Sequence, residues 1–255
     1  CQAIVKKAVV ERLKGVYDVD WFDETGAEYT IQVALLKDIV TLTIDTSGSS
    51  LHKRGYRANA LDAPLKETLA AAMIELSYWN KDRVLMDPFC GSGTIPIEAA
   101  MIARNIAPGL NRHFASEKWE RVPEKLWKEE RKKAYAAIDY DCMPEIYGSD
   151  IDPAAIELAK SNAELAGVDD CITFEVKPVQ ELELYGDYGC LITNPPYGER
   201  LGDMKTVEDM YRSLGGTMHS NETWSTYVIK SMEYFEKLFG KKASEKRKLF
   251  NAWIK

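Results

Sequence analysis

Histidine is scarce in this chain, with three residues in 255. Cysteine is little commoner: five residues, at positions 1, 90, 142, 171 and 190. That number is odd and no pair has Cys-x-x-Cys spacing, which excludes a disulfide framework and a structural zinc site and suits a reducing compartment. No apolar run approaches the ~18 residues of a membrane span, and no signal-type segment opens the chain. Positive charge is also in deficit: 33 Lys and Arg stand against 40 Asp and Glu, a net charge of −7. Such a balance argues against coating nucleic acid by bulk charge while leaving room for a local basic surface. The expectation is a cytoplasmic protein with no metal centre and no membrane partner.

What is present is the make-up of an ordinary globular protein, 45% hydrophobic and 29% charged. The length suffices for one α/β core and part of a second domain. Residues 2–14 put Ile4, Val5, Ala8, Val9 and Leu13 on one helical face, with Gly15 as the stop. Glu28–Leu36 and Ile39–Ile44 read as strands joined tightly by Lys37-Asp38. One helix and a two-stranded ribbon cannot bury a core, so residues 1–50 read as the end of a domain. Thr46 to Ser50 marks the boundary, and residues 51–255 follow as a second domain. Leu51-His52-Lys53-Arg54-Gly55-Tyr56-Arg57 is dense in cations and reads either as a solvated linker or as a loop touching phosphate or a cofactor carboxylate.

From there the pattern alternates. A helix over Leu65–Tyr78, with Pro64 in its first turn, precedes the buried strand Val84–Asp87. The turn Pro88-Phe89-Cys90-Gly91-Ser92-Gly93-Thr94 leads into a helix from about Ile95 to Arg104. Strand, glycine turn and helix let backbone N–H groups approach a ligand at a helix N-terminus. Position 96 is Pro where the third glycine of a dinucleotide fingerprint would stand, and the Gly-Lys-Ser/Thr of a phosphate loop is missing. Residues 105–145 interrupt the rhythm with a charged helix from about Pro123 to Ile138, whose Arg131-Lys132-Lys133 reads as a solvated face. Ile146–Ser149 is the next strand, tipped by Asp150-Ile151. Asp152 and Pro153 start a helix that Gly167 ends. Strands follow at Ile172–Val176, Cys190–Thr193, Thr226–Ile229 and Leu249–Ile254. Helices are expected at Val207–Met218 and Glu233–Phe239, and Lys241–Lys248 is the most basic window.

The strand Cys190–Thr193 is cut off by Asn194-Pro195-Pro196-Tyr197. An amide, a bare carbonyl and an aromatic face then share one strand tip, where open α/β sheets bind ligands. The oxygens of Asn194 and Pro195 suit both N–H bonds of an exocyclic amine, and Tyr197 suits stacking on its ring. A plain Pro-rich turn is the bland alternative. A nucleotide-dependent oxidoreductase would share Gly91, Gly93 and Asp150 but leaves the Asn-Pro-Pro-Tyr tip unexplained.

Taken together, the acid-plus-glycine turn at Asp87–Thr94, the lone acid Asp150 and the tip at Asn194–Tyr197 resemble the class I S-adenosylmethionine-dependent methyltransferases. With Leu51–Arg57 and Asn194–Leu201 the chain resembles one family over its whole length: bacterial ribosomal RNA large-subunit guanine-N2 methyltransferases carrying a THUMP domain. The resemblance implies a Rossmann-like, doubly wound, mostly parallel sheet behind the last part of a THUMP RNA-binding domain. It implies S-adenosylmethionine as cofactor, with Asp87, Pro88, Cys90, Gly91, Ser92, Gly93, Thr94, Asp150 and Ile151 around it. Asp150 would hold the ribose, Asp87 would sit near the methionine amino group, and Gly91 and Gly93 would admit the backbone to the methionine moiety. Asn194, Pro195, Pro196 and Tyr197 would form the catalytic tip, acting on a guanine of 23S ribosomal RNA or its assembly precursor. Transfer RNA, DNA adenine and protein glutamine are the other acceptors such a tip serves. The third-strand region, Val176–Gln180, lacks the acid that many class I enzymes place near the adenine amine, and the family's seventh strand is not completed by this chain.

Overall fold

The computed structural model describes residues 2–23, 25–57, 65–196, 204–229 and 234–249. By packing, the chain divides into two units: Cys1–Ser50 with His113–Glu130, and Leu51–Arg112 with Arg131–Lys255.

In the first unit, α1 (Gln2–Tyr17) runs past Gly15 and ends where Asp18 takes a positive φ of 53°. The two strands are β1 (Thr30–Leu36) and β2 (Ile39–Asp45), paired antiparallel. Lys37 and Asp38 both have positive φ, 49° and 61°, the conformation that lets a two-residue turn follow the strand twist. The register sets Ile31 opposite Ile44, Val33 opposite Leu42 and Leu35 opposite Val40, so one face of the ribbon is wholly apolar. Segment 113–130, although it follows the first helices of the second unit in sequence, packs here. Its Ala115 and Ser116 N–H groups donate to the Ser47 and Thr46 carbonyls, and Trp119 stacks on Tyr29 at 4.7 Å. The charged helix α4 (Glu124–Ala136) begins in this unit and has no buried residue.

The second unit is a sheet of β3 (Leu85–Asp87), β4 (Ile146–Asp150), β5 (Ile172–Val176), β6 (Cys190–Thr193) and β7 (Ser225–Val228), in the order β5-β4-β3-β6-β7. All four pairings are parallel. The helices are α2 (Glu67–Glu75), α3 (Thr94–Ala103), α5 (Pro153–Ala166), α6 (Met204–His219) and α7 (Phe235–Phe239). Alternate side chains of the central strands enter different cores. Leu85, Cys190 and Ile192 pack with Met73, Ile74, Ile97 and Ala100, and Met86 and Leu191 pack with Val207, Tyr211, Leu214 and Phe235. Helix α5 starts as the sequence dictates: the Asp152 carboxylate accepts the Ala154 N–H at 2.9 Å, with Pro153 next and Gly167 closing in the left-handed region. The strand expected at Leu249–Ile254 lies outside the described residues beyond Leu249. Among the described residues no helix is long and apolar enough to cross a membrane.

The chain visits β3, β4 and β5 in one direction along the sheet and then returns to place β6 on the other side of β3. That reversal makes the carboxyl ends of β3 and β6 the switch point of the sheet, where doubly wound sheets take ligands.

Candidate active site

The tip of β3 is Asp87, 1% exposed. Its Oδ1 accepts the Phe89 N–H at 3.2 Å and the Thr193 hydroxyl at 2.5 Å. Burial pushes the carboxyl up to about 7, against the two hydrogen bonds and with help from the Asp150 charge. This carboxyl, expected beside a methionine amino group, thus directs Oδ1 into the protein.

Between Asp87 and α3 the turn is held from several sides. The Cys90 N–H donates to the Ser149 carbonyl and the Gly93 N–H to the Cys90 carbonyl. The Gly91 N–H donates to Asp150 Oδ2 at 3.0 Å, and Asp150 Oδ1 takes the Asp152 N–H. The buried Asn162 amide of α5 donates to the Ser92 carbonyl at 3.0 Å. The two glycines differ in what their missing Cβ leaves. A Cβ on Gly93 (φ 80°) would meet Ala159 at 3.0 Å and Phe174 at 3.1 Å, whereas one on Gly91 (φ 52°) would meet nothing within 4 Å. Gly93 therefore serves the turn and the packing of α5, and Gly91 is where a ligand can approach the backbone. Pro88, Ser92 and Thr94 are buried, and Ile151 is 61% exposed beside Asp150. The Cys90 thiol is pushed well up by burial, then by the Asp87 and Asp150 charges, so it stays protonated and is no nucleophile.

β6 lies beside β3, with Leu85 opposite Cys190 and Met86 opposite Leu191. The register carries the Asn194-Pro195-Pro196 turn to the same end of the sheet as the glycine turn. Pro195 is buried, and Asn194 and Pro196 are partly exposed. The Pro196 carbonyl accepts the hydroxyl of Tyr211, a fully buried α6 residue, at 2.7 Å. Tyr211 in turn meets the edge of Phe235 at 5.0 Å. Tyr197 lies outside the described residues.

Arg54, Tyr56 and Arg57 of the cation-rich loop 51–57 turn inward. Arg54 pairs with Glu98 of α3 (Nη2–Oε2 3.2 Å), and the Tyr56 hydroxyl donates to the same carboxylate at 3.0 Å. Burial raises the Glu98 carboxyl and Arg54 pulls it back. Arg57 donates to Thr94 Oγ1 at 2.5 Å and pairs with Glu67 of α2 at 3.5 Å. The reading of these arginines as phosphate contacts is corrected: side-chain exposures of 11% for Arg54 and 14% for Arg57 leave them as internal counter-ions. Only Lys53 of the three remains exposed. Arg131 departs from the solvated face in the same way, donating to the Leu110 and Arg112 carbonyls.

Thr193, Tyr211 and Asn162 escaped the sequence reading. Each looks like an ordinary strand or helix residue, and its role shows only in its bond to a turn: Thr193 to Asp87, Asn162 to Ser92 and Tyr211 to Pro196.

This doubly wound sheet, with a glycine turn and an Asn-Pro-Pro turn at adjacent tips, matches a known family. A profile described as the RMKL-like methyltransferase domain fits residues 54–255, and a THUMP-domain profile fits residues 1–45. The chain belongs to the RMKL-like methyltransferase family. It is 50% identical over 258 residues to YpsC of Bacillus subtilis (strain 168), named as a candidate RNA methyltransferase, covering 100% of this chain and 67% of that protein. It is 43% identical over 237 residues to the ribosomal RNA large subunit methyltransferase K/L of Shewanella sediminis (strain HAW-EB3), covering 89% of this chain and 33% of that protein. Two solved structures superpose closely over 98% of this chain. A Listeria monocytogenes protein described as an N6-adenine-specific DNA methylase by prediction gives a TM-score of 0.92 at 51% identity, and the chain covers 66% of it. SMU.472, a candidate methyltransferase crystallised with SAH, gives 0.91 at 44% identity, and the chain covers 67% of it. The chain thus spans about two thirds of YpsC and one third of the Shewanella protein. Its sheet is that of the class I methyltransferases, and its N-terminal unit carries the THUMP segment.

Proposed function

We propose that this chain forms the methyl-transfer site of an enzyme that moves a methyl group from S-adenosylmethionine to the exocyclic N2 amine of a guanine in 23S ribosomal RNA. The observation that carries it is the parallel pairing of β3 with β6, which sets the glycine turn beside the Asn194 turn at the switch point of the sheet. The residues fit the cofactor: the backbone at Gly91 is open to a ligand, and the half-exposed Asp150 stands at the next strand tip with an acceptor for ribose hydroxyls. S-adenosylmethionine, when bound, supplies an electrophilic methyl on a sulfonium sulfur.

The rest falls to the chain. A guanine amine is a weak nucleophile because its lone pair is delocalised into the ring. Accepting its two N–H bonds at the oxygens of Asn194 and Pro195 favours a pyramidal nitrogen with its lone pair directed away from the ring. Fixed dipoles there stabilise the positive charge growing on nitrogen without reorganisation. The Tyr211–Pro196 bond keeps the turn rigid. The base must leave its stack to reach the tip, and Tyr197 offers the replacement surface. The THUMP segment in residues 1–45 favours RNA over DNA as the carrier of the amine.

The test is single-turnover methylation of ribosomal RNA, transfer RNA and adenine-containing DNA, with cofactor affinity measured separately. Asn194→Ala should slow transfer on the order of 10²–10³-fold, the usual cost of one preorganised hydrogen-bonding group, and leave cofactor affinity nearly intact. Transfer at the wild-type rate, or methyl found on adenine N6, would remove the guanine assignment.

A further inference from the structure

One carboxyl oxygen joins the two turns of the site. Asp87 Oδ1 receives both the Phe89 N–H, which opens the glycine turn, and the hydroxyl of Thr193, which directly precedes Asn194. Thr193 is fully buried and Asp87 nearly so, and an O–H···O⁻ contact of 2.5 Å is of the short, strong kind. The other three residues of β6 are Cys190, Leu191 and Ile192. Burial and strand preference at 193 would be met by valine, so the hydroxyl needs a reason of its own.

Resting on the amine-methylating reading above, we infer that Thr193 is a positioning residue whose bond to Asp87 fixes the Asn194 turn against the cofactor turn. Beyond the backbone pairs Leu85–Cys190 and Met86–Leu191, this link ties the tip of β6 to the tip of β3, and so bears on the distance and angle between the amine and the methyl donor. The charged and titratable groups facing Asp87 are Asp150 of β4 and Cys90 of its own turn. Burial raises the Asp87 carboxyl and the Thr193 bond opposes that rise, so the link also leaves a mark on titration.

The experiment compares Thr193→Val and Thr193→Ser in the complete protein. It reads the single-turnover rate on ribosomal RNA, S-adenosylmethionine affinity by calorimetry, and melting temperature against pH. Thr193→Val should transfer methyl about 10–100-fold more slowly, the scale of a misplacement near 1 Å, with cofactor affinity within about twofold. Its decline of stability with rising pH should extend further above 7 than in the wild type, because Asp87 has lost a bond that favours its charged form. Thr193→Ser should restore both. A Val variant at the wild-type rate overturns the inference, as does a Ser variant as slow as Val, which would make methyl packing the cause. If Thr193→Val fails to fold, Thr193→Cys, near the size of Ser but a poor hydrogen-bond donor, takes its place in the same comparison. Normal guanine methylation by Thr193→Val alongside a slow Asn194→Ala removes only the positioning role. A wild type that methylates no guanine removes the proposed reaction instead, and the pH-dependent melting then reports the Thr193–Asp87 bond alone.

Discussion

Asp87 shows what a single residue contributes to, and takes from, this fold. Its carboxyl is raised from 3.8 to about 7, chiefly by burial. The folded state therefore binds a proton more tightly than the unfolded state, and stability falls as pH rises from about 4 through about 7, remaining low above that. A rise of that size corresponds to on the order of 4 kcal/mol. Asp87→Asn keeps an oxygen to accept from Thr193 and Phe89 and has no charge to bury. It should be the more stable protein at pH 8 by on the order of 3–4 kcal/mol, with the gain vanishing near pH 4. Urea denaturation at the two pH values measures it, and an equal difference at both would show that Asp87 titrates normally.

At the scale of elements, the loop 51–57 is where residue type and role part company. Arg57 ties the first residue of α3, Thr94, to Glu67 of α2. Arg57→Ala leaves that buried carboxylate without its cation and should cost about 3–5 kcal/mol of stability, while the salt dependence of RNA binding stays unchanged. Lys53→Ala should do the reverse, leaving stability unchanged and reducing the dependence of RNA affinity on salt. Chemical denaturation and binding titrations over a salt series separate the two. The strands Ile172–Val176 and Cys190–Thr193 were readable to the residue, because β-branched and apolar runs bounded by turn residues leave little choice. So was the start of α5, where Asp152 and Pro153 form a local signal. The inward turn of Arg54 and Arg57 was not legible, since their partners Glu98 and Glu67 are fixed only once α2 and α3 pack. The same holds for the attachment of segment 113–130 to the first unit through Trp119 and Tyr29. Of the candidate site, the motif residues Asp87, Gly91, Asp150 and Asn194 were proposed from the sequence. Their supports, Thr193, Asn162 and Tyr211, could not be, because none carries a motif of its own and each bond forms only once the strands and helices have packed.

For the molecule as a whole, a net charge of −7 must be reconciled with the RNA substrate proposed above. Long-range attraction does not supply the affinity, so phosphate contacts must be local and the internal arginines cannot be counted among them. In the window 241–248, Lys246 pairs with Glu236 at 2.6 Å and Arg247 with Glu245 at 3.2 Å. Lys241 and Lys242 are exposed beside them, immediately after α7. Each phosphate neutralised releases condensed counterions, so log affinity falls with log salt by about 0.7–0.9 per contact. Replacing Lys241 and Lys242 together by Ala should therefore flatten that slope by roughly 1.5 and weaken binding to ribosomal and unrelated RNA alike, because phosphate contacts carry no sequence information. Single-turnover rate at saturating RNA should not change, since neither lysine is at the strand tips. A slope identical to the wild type would place the RNA path away from the α7 end of the chain, leaving Lys53 and the THUMP segment as its supports.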